Sequence, residues 1–120
     1  MATDEDWHHF DVSASAKKIL DAGGRVCLGA HGQMQGIGPH WEMWNLAKGG
    51  MTPLEAIRAS TLAPAQALAL DSELGSLEPG KLADFMVLER NPLERIENSD
   101  SVVLVVKNGV GYRPEDLARK

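Results

Sequence analysis

The chain has 120 residues, 43% of them hydrophobic and 24% charged, the composition of one ordinary globular domain large enough to bury a core. Its net charge of -5 and pI near 5.3 exclude the basic stripe that a nucleic-acid partner would require. The longest apolar run, Val102–Val106, is too short to span a bilayer, and the acidic start MATDEDWHHF is unlike a secretory leader, so a cytoplasmic protein with no membrane partner is expected.

In chain order, Asp11 predicts the cap of a helix over 12–22, with Val12, Ala16, Ile19 and Leu20 on its buried face and Gly23-Gly24 as its stop. RVCLGA predicts a short buried strand over 25–30. The single cysteine, Cys27, excludes an internal disulfide and a thiolate zinc cluster, and within that strand it reads as a small buried hydrophobe. Pro39 suits the first turn of a helix over 39–48, ended by Gly49-Gly50. Thr52, Pro53 and Glu55 spell a capping box for a helix over 53–60, and Thr61 or Leu62 before Pro64 opens another over 64–69. Pro79-Gly80 fits the centre of a type II turn leading into a strand over 83–88. NPLERIENSD is a polar loop with a short helical turn. A strand over 101–106, the pair Asn108-Gly109 and a short return strand form a tight hairpin. The architecture is α/β over 1–70 and mostly β over 71–120.

The stretch GAHGQMQGIGPHWEMW, residues 29–44, concentrates ligand-type side chains and glycines. It reads either as a catalytic loop at a strand end or as a glycine-rich turn into an ordinary helix. His31, directly after the strand, has the chemistry to ligate a metal or transfer a proton near neutral pH. His40 and Glu42 are two apart and do not share a helix face, and the four-residue spacing of a helical metal pair is missing. For His40 the plain alternative is a first-turn histidine donating to a carbonyl; for Glu42 it is a first-turn carboxylate favoured by the helix dipole. Trp41 and Trp44 share a face, for core packing or for lining a substrate pocket. Gly32, Gly36 and Gly38 permit loop closure or unusual backbone angles, and match no nucleotide-binding pattern. His8-His9, near Asp4 and Asp6, reads as an exposed terminal pair rather than a chelate. Ser13, Ser15 and Ser60 lack a nucleophile-elbow context.

GGMTPLEAIRASTLAPAQALALDSELGSLEPGKLADFMVLERNPL, followed by VVLVVKNGVGY, resembles the C-terminal region of the amidohydrolase superfamily. Gly75–Asp84 is the specific part, strengthened by its spacing to Val106–Gly109. With GAHGQ and HWEMW, the likeness is to imidazolonepropionase-like and prolidase-like hydrolases, in the branch joined to a TolB-like propeller. The resemblance implies a metal-dependent hydrolase of amide, dipeptide or cyclic amide bonds on a (β/α)8 barrel, which alone needs on the order of 250 residues. It places 1–70 at the end of the barrel and 71–120 in the adjoining small β-domain. It implies His31 as catalytic residue and the one candidate metal ligand, where the family usually carries an aspartate, and His40 and Trp41 as substrate-binding. Lys81 and Asp84 belong to the signature, with a turn, a strand entry and a local ion pair as their work. A divalent metal, zinc by expectation, belongs to the full-length enzyme and is not expected on this chain, which lacks the paired histidines, the lysine and the mid-barrel histidines. The competing expectation is a non-catalytic structural or assembly module. Strands without their partners predict a homo-oligomer, either by Val102–Val106 pairing to its counterpart in another copy or by segments swapping between chains.

Overall fold

The computed structural model describes residues 8–31 and 34–117. Its elements are α1 (His9–Asp21), α2 (Ile37–Lys48), α3 (Pro53–Ser60), α4 (Leu62–Ala67), β1 (Phe85–Leu88), β2 (Val102–Lys107), β3 (Val110–Tyr112) and α5 (Pro114–Leu117), with a 3-10 turn at Ile96–Asp100. The expected readings of Asp4, Asp6 and Gly32 fall outside the described residues.

Helix α1 begins at His9, so Asp11 lies inside its first turn instead of capping it. Its end is a Schellman motif: Gly23 N–H donates to Leu20 O at 3.0 Å and Gly24 N–H to Ile19 O at 2.9 Å. The expected buried face is displaced. Val12 and Ile19 are 67% and 54% exposed, whereas Ser13 is 6% exposed. The half-buried Ala16, Lys17 and Leu20 continue the Ser13 stripe. The cause is the approach of α1 to the end of α2. A Cβ placed on Gly49 would lie 2.3 Å from the carbonyl carbon of Ser13 and 2.5 Å from its Cβ. Only small residues permit that crossing, and it rotates the bulkier Val12 and Ile19 outward.

Helix α3 opens as its sequence requires. Glu55 N–H donates to Thr52 Oγ1 at 3.3 Å, and Thr52 N–H donates to Glu55 Oε2 at 2.7 Å. The Thr52 backbone donor is the chief reason the Glu55 carboxyl is held below the usual carboxylate range. Lys17 Nζ bonds the Asp21 carboxylate and reaches Glu55 Oε1 at 3.4 Å, tying α1 to α3. The core between α2, α3 and the 3-10 turn centres on Met43, Ala56 and Ile96, with Leu28, Trp44, Leu46, Ala47 and Ile57 packed around them.

Residues 25–30 run extended but form no strand. A strand needs a ladder partner, and the segment's backbone is held by the Leu28 N–H to Ala59 O bond at 2.8 Å, against a helix end. Extended backbone alternates its sides. Val26, Leu28 and Ala30 are half-buried and Cys27 is exposed, so the cysteine is not the buried hydrophobe expected.

The three-stranded sheet is antiparallel in the order β1-β2-β3. Phe85 pairs with Val106 and Val87 with Leu104; Leu88 then pairs with Val102, leaving Val103 as a bulge. The type II turn forms as expected, with Gly80 at φ 93 and Lys81 N–H donating to Glu78 O at 3.2 Å. Asn108 and Gly109, at φ 50 and 78, make the tight hairpin of β2 and β3. The expected strand over 83–88 starts at Phe85 because Ala83 and Asp84 serve that hairpin. Gly109 N–H donates to Ala83 O at 3.1 Å, Asn108 N–H to Asp84 Oδ1 at 2.5 Å, and Lys107 Nζ to the same carboxylate. The Lys107 ammonium, then the Asn108 amide, holds the Asp84 carboxyl below its ordinary value. As β2 is flanked on both sides, its expected pairing with another copy is blocked; the free edges belong to β1 and β3. Among the described residues, no helix is long and apolar enough to cross a membrane.

Two stability outcomes follow from these contacts. Thr52→Ala removes one half of the capping box and costs about 1 kcal/mol. Gly49→Ala forces the Ser13 backbone to move and costs about 1–3 kcal/mol. Urea midpoints rank Gly49→Ala at or below Thr52→Ala; a wild-type midpoint for Gly49→Ala would refute the close crossing. The second outcome is acid sensitivity. The carboxyls of Glu55, Glu78 and Asp84 are all held below the ordinary carboxylate range in the folded state. Their contribution is complete above the unfolded carboxylate range of about 4 and is lost as pH falls through the lower folded values. The urea midpoint therefore drops between pH 6 and pH 3, and Asp84→Asn, weaker at pH 6, drops less over that interval.

Candidate active-site cleft

The segment 25–31 brings His31 to a cleft of about 460 Å³, lined by Ala30, His31, Met34, Gly38, Trp41, Glu42 and Asn45. Helix α2 supplies the opposite wall. Gly38, Trp41, Glu42 and Asn45 fall at helical spacing on one face, while His40, Met43, Trp44 and Ala47 fall on the other. That division separates the residues singled out in the sequence. His31 and Trp41 come together, and Trp41 is 44% exposed on the cleft wall. His40 does not join them among the lining residues.

His40 instead turns toward the 3-10 turn, where its Nδ1 lies 3.0 Å from Ser99 Oγ. Trp44 donates its indole N–H to Ser99 Oγ at 2.9 Å and to Ile96 O at 3.1 Å. The expected partner of His40 was a backbone carbonyl; the observed one is a buried hydroxyl. The two tryptophans also part company, with Trp44 against the core and Trp41 in the cleft. Ser99 had no signal in the sequence, since nothing in IENSD points to a histidine 59 residues away. Asn45 was findable, four residues after Trp41 on the same helical face.

Glu42 is a further correction. Because α2 begins at Ile37, Glu42 sits beyond the first turn, where the helix dipole does not set its role. Its Oε2 accepts the Gly29 N–H at 3.1 Å and clips the extended segment to α2 just before His31. The cleft is therefore built by one carboxylate that holds backbone, one imidazole and one indole wall. Among the described residues, no three of His, Cys, Asp and Glu are grouped so as to hold a metal ion. His31 and Glu42 fall short of the three protein ligands of a catalytic zinc site, so the residues present do not fit a complete metal shell.

A larger depression of about 620 Å³ lies between α4 and the turn at 78–81, lined in part by Gln66, Asp71, Glu78 and Lys81. Lys81 Nζ is engaged by Ser76 Oγ at 2.6 Å and Glu78 Oε1 at 3.3 Å. The Ser76 hydroxyl, then Lys81, keeps the Glu78 carboxyl low. These groups satisfy one another and shape the turn, so volume alone does not make this the site. His8 is 88% exposed, with its Nδ1 3.9 Å from Asp11, but His9 is half-buried as the first residue of α1, so the two histidines do not form the exposed terminal pair expected.

The family model of the amidohydrolase family matches residues 11–110. An imidazolonepropionase of Geobacillus sp. (strain WCH70) is 36% identical over 112 residues, which cover 81% of this chain and 26% of that protein. Among solved structures, molinate hydrolase superposes with a TM-score of 0.78 at 28% identity, over 88% of this chain and 27% of its own. A Xaa-Pro dipeptidase with bound methionine superposes with a TM-score of 0.77 at 31% identity, over 85% of this chain and 25% of its own. The chain thus spans about a quarter of the length of these relatives. With the cleft, the capped helices and the Gly75–Asp84 turn all inside the matched region, the chain belongs to the amidohydrolase family.

Proposed function

We propose that the chain is the C-terminal part of a metal-dependent (β/α)8 hydrolase of C–N bonds in amides, dipeptides or cyclic amides. In this reading residues 1–70 form the end of the barrel and 71–120 form strands of its small β-domain. The observation that carries it is the convergence of His31, Trp41 and Glu42 on one cleft inside the matched region. His31 stands at the end of the extended segment, where groups that do chemistry project in such barrels. Its imidazole is suited to proton transfer near neutral pH. Trp41 supplies an apolar wall for substrate, and Glu42 fixes the backbone that carries His31.

The amidohydrolase family is generally metal-dependent, and this chain's cleft offers too few ligands to hold a metal by itself. That shortfall favours a second reading for the isolated polypeptide, a non-catalytic structural or assembly module. Metal analysis after dialysis, paired with assays on dipeptide and cyclic-amide substrates, separates the two. The expected result for the 120-residue chain is no stoichiometric zinc and no turnover, with His31→Ala indistinguishable from wild type. One tightly held metal per chain, with turnover abolished by His31→Ala, would show the cleft to be a working site by itself.

The same reading makes self-association the expected state in isolation. Val12, Ile19, Val110 and Tyr112 are 67%, 54%, 54% and 41% exposed, and the sheet keeps open edges at β1 and β3. Apolar faces and free edges of this kind are covered by association. Light scattering at micromolar concentration should give the mass of a dimer or a larger species; a monomer mass would count against it.

A further inference from the structure

We propose that Ser99 is a positioning residue that fixes His40 in its Nε2-protonated tautomer, so that His40 offers a ligand an N–H donor and offers a metal no lone pair. The inference rests on the reading of His40 as a substrate-binding residue, and it assigns the chemistry that residue would recognise. It begins with the hydrogens available. Ser99 is 4% exposed, so its hydroxyl hydrogen must find a partner within the protein. The Trp44 indole nitrogen can only donate, and it does so to Ser99 Oγ at 2.9 Å. That contact uses a lone pair of the hydroxyl and leaves its hydrogen to be placed.

Among the described residues the remaining partner of Ser99 Oγ is His40 Nδ1 at 3.0 Å. If Nδ1 carried the proton, two donors would converge on Oγ and the buried hydroxyl hydrogen would have no acceptor. With the proton on Nε2 every group is satisfied: the Trp44 N–H donates to Ser99 Oγ, and the Ser99 O–H donates to His40 Nδ1. The chain runs in one direction because its first member has no acceptor. It also pairs ring with ring, since the His40 and Trp44 centroids lie 6.5 Å apart at 44°. Both imidazole lone-pair positions are then occupied, Nδ1 by the hydroxyl and Nε2 by its own hydrogen. A group docking on the free nitrogen must therefore bring an oxygen acceptor, such as a carbonyl or carboxylate, and a divalent cation is refused. Here His40 differs from His31, for which no such lock is present among the described residues.

Long-range 1H–15N correlation on the 15N-labelled chain, at a pH where histidines are neutral, reads the tautomer directly. Wild type should show His40 with an unprotonated Nδ1 and a protonated Nε2, and one equivalent of zinc should leave those signals unmoved. Ser99→Ala should release the tautomer preference and shift the Trp44 indole resonance, and Ser99→Thr, which keeps the hydroxyl, should restore both. A wild-type His40 protonated on Nδ1, a tautomer mixture such as an unfolded chain gives, or zinc-induced displacement of the His40 signals would overturn the proposal. Should Ser99→Ala fail to fold, the wild-type tautomer and the zinc titration decide the matter. Neither readout depends on hydrolysis, so failure of the amide-hydrolase reading would appear in the assays above and not here.

Discussion

The contact between Trp44 and the 3-10 turn is the constraint on which the rest of the molecule depends. Ile96 enters the core beside Met43 and Ala56, and the indole N–H holds the backbone of that same residue. A buried indole needs an acceptor, and a buried carbonyl needs a donor. Each meets that need in the other, which seats the turn at one place on α2. The turn leads directly into β2, the central strand, so its position also sets where the sheet stands.

Helix α2 is consequently the element through which the other parts communicate. Its inner face carries Met43 and Trp44 into the core, its C-terminal Gly49 admits α1, and its outer face builds the cleft. Small residues govern the contact with α1, and larger side chains govern the other two. The glycine does so by absence: the Ser13 backbone occupies the space where any side chain on residue 49 would stand. The cleft inherits its geometry from this arrangement. Glu42 can accept the Gly29 N–H because α2 is already pinned on its far side, and that bond presents His31 beside Trp41.

Large apolar side chains such as Val12, Ile19 and Leu77 stand in solvent, and no large side chain is fully buried among the described residues. Molinate hydrolase and the Xaa-Pro dipeptidase superpose on this chain over about a quarter of their own lengths. The apolar pattern of α1 has two sides. One, toward α2, carries Ser13 and its neighbours; the other, with Val12 and Ile19, has no counterpart within the described residues.

Local chemistry was legible in the amino-acid order. The Thr52 and Glu55 capping box, the Gly49-Gly50 stop and the Pro79-Gly80 turn each depend on residues within six positions of one another, whereas the Asn108-Gly109 hairpin, set by its own pair, is also braced by Ala83 and Asp84; each forms where its residues stand. His31 and Trp41 were legible as site candidates for the same reason, being ten positions apart on a strand-like end and the helix that follows. What the tertiary structure decided was every choice between faces and partners. Periodicity showed that α1 has an apolar side, but the approach of Gly49 to Ser13 chose the side that is buried. RVCLGA predicted a short buried strand, but without a neighbouring strand it could not become a ladder, and Cys27 is exposed. His40 was expected at the substrate from the resemblance, and which of its nitrogens is taken up within the protein is decided by a serine remote in sequence. Such pairings depend on distances that are set only once helices have packed, and no spacing along the chain encodes them.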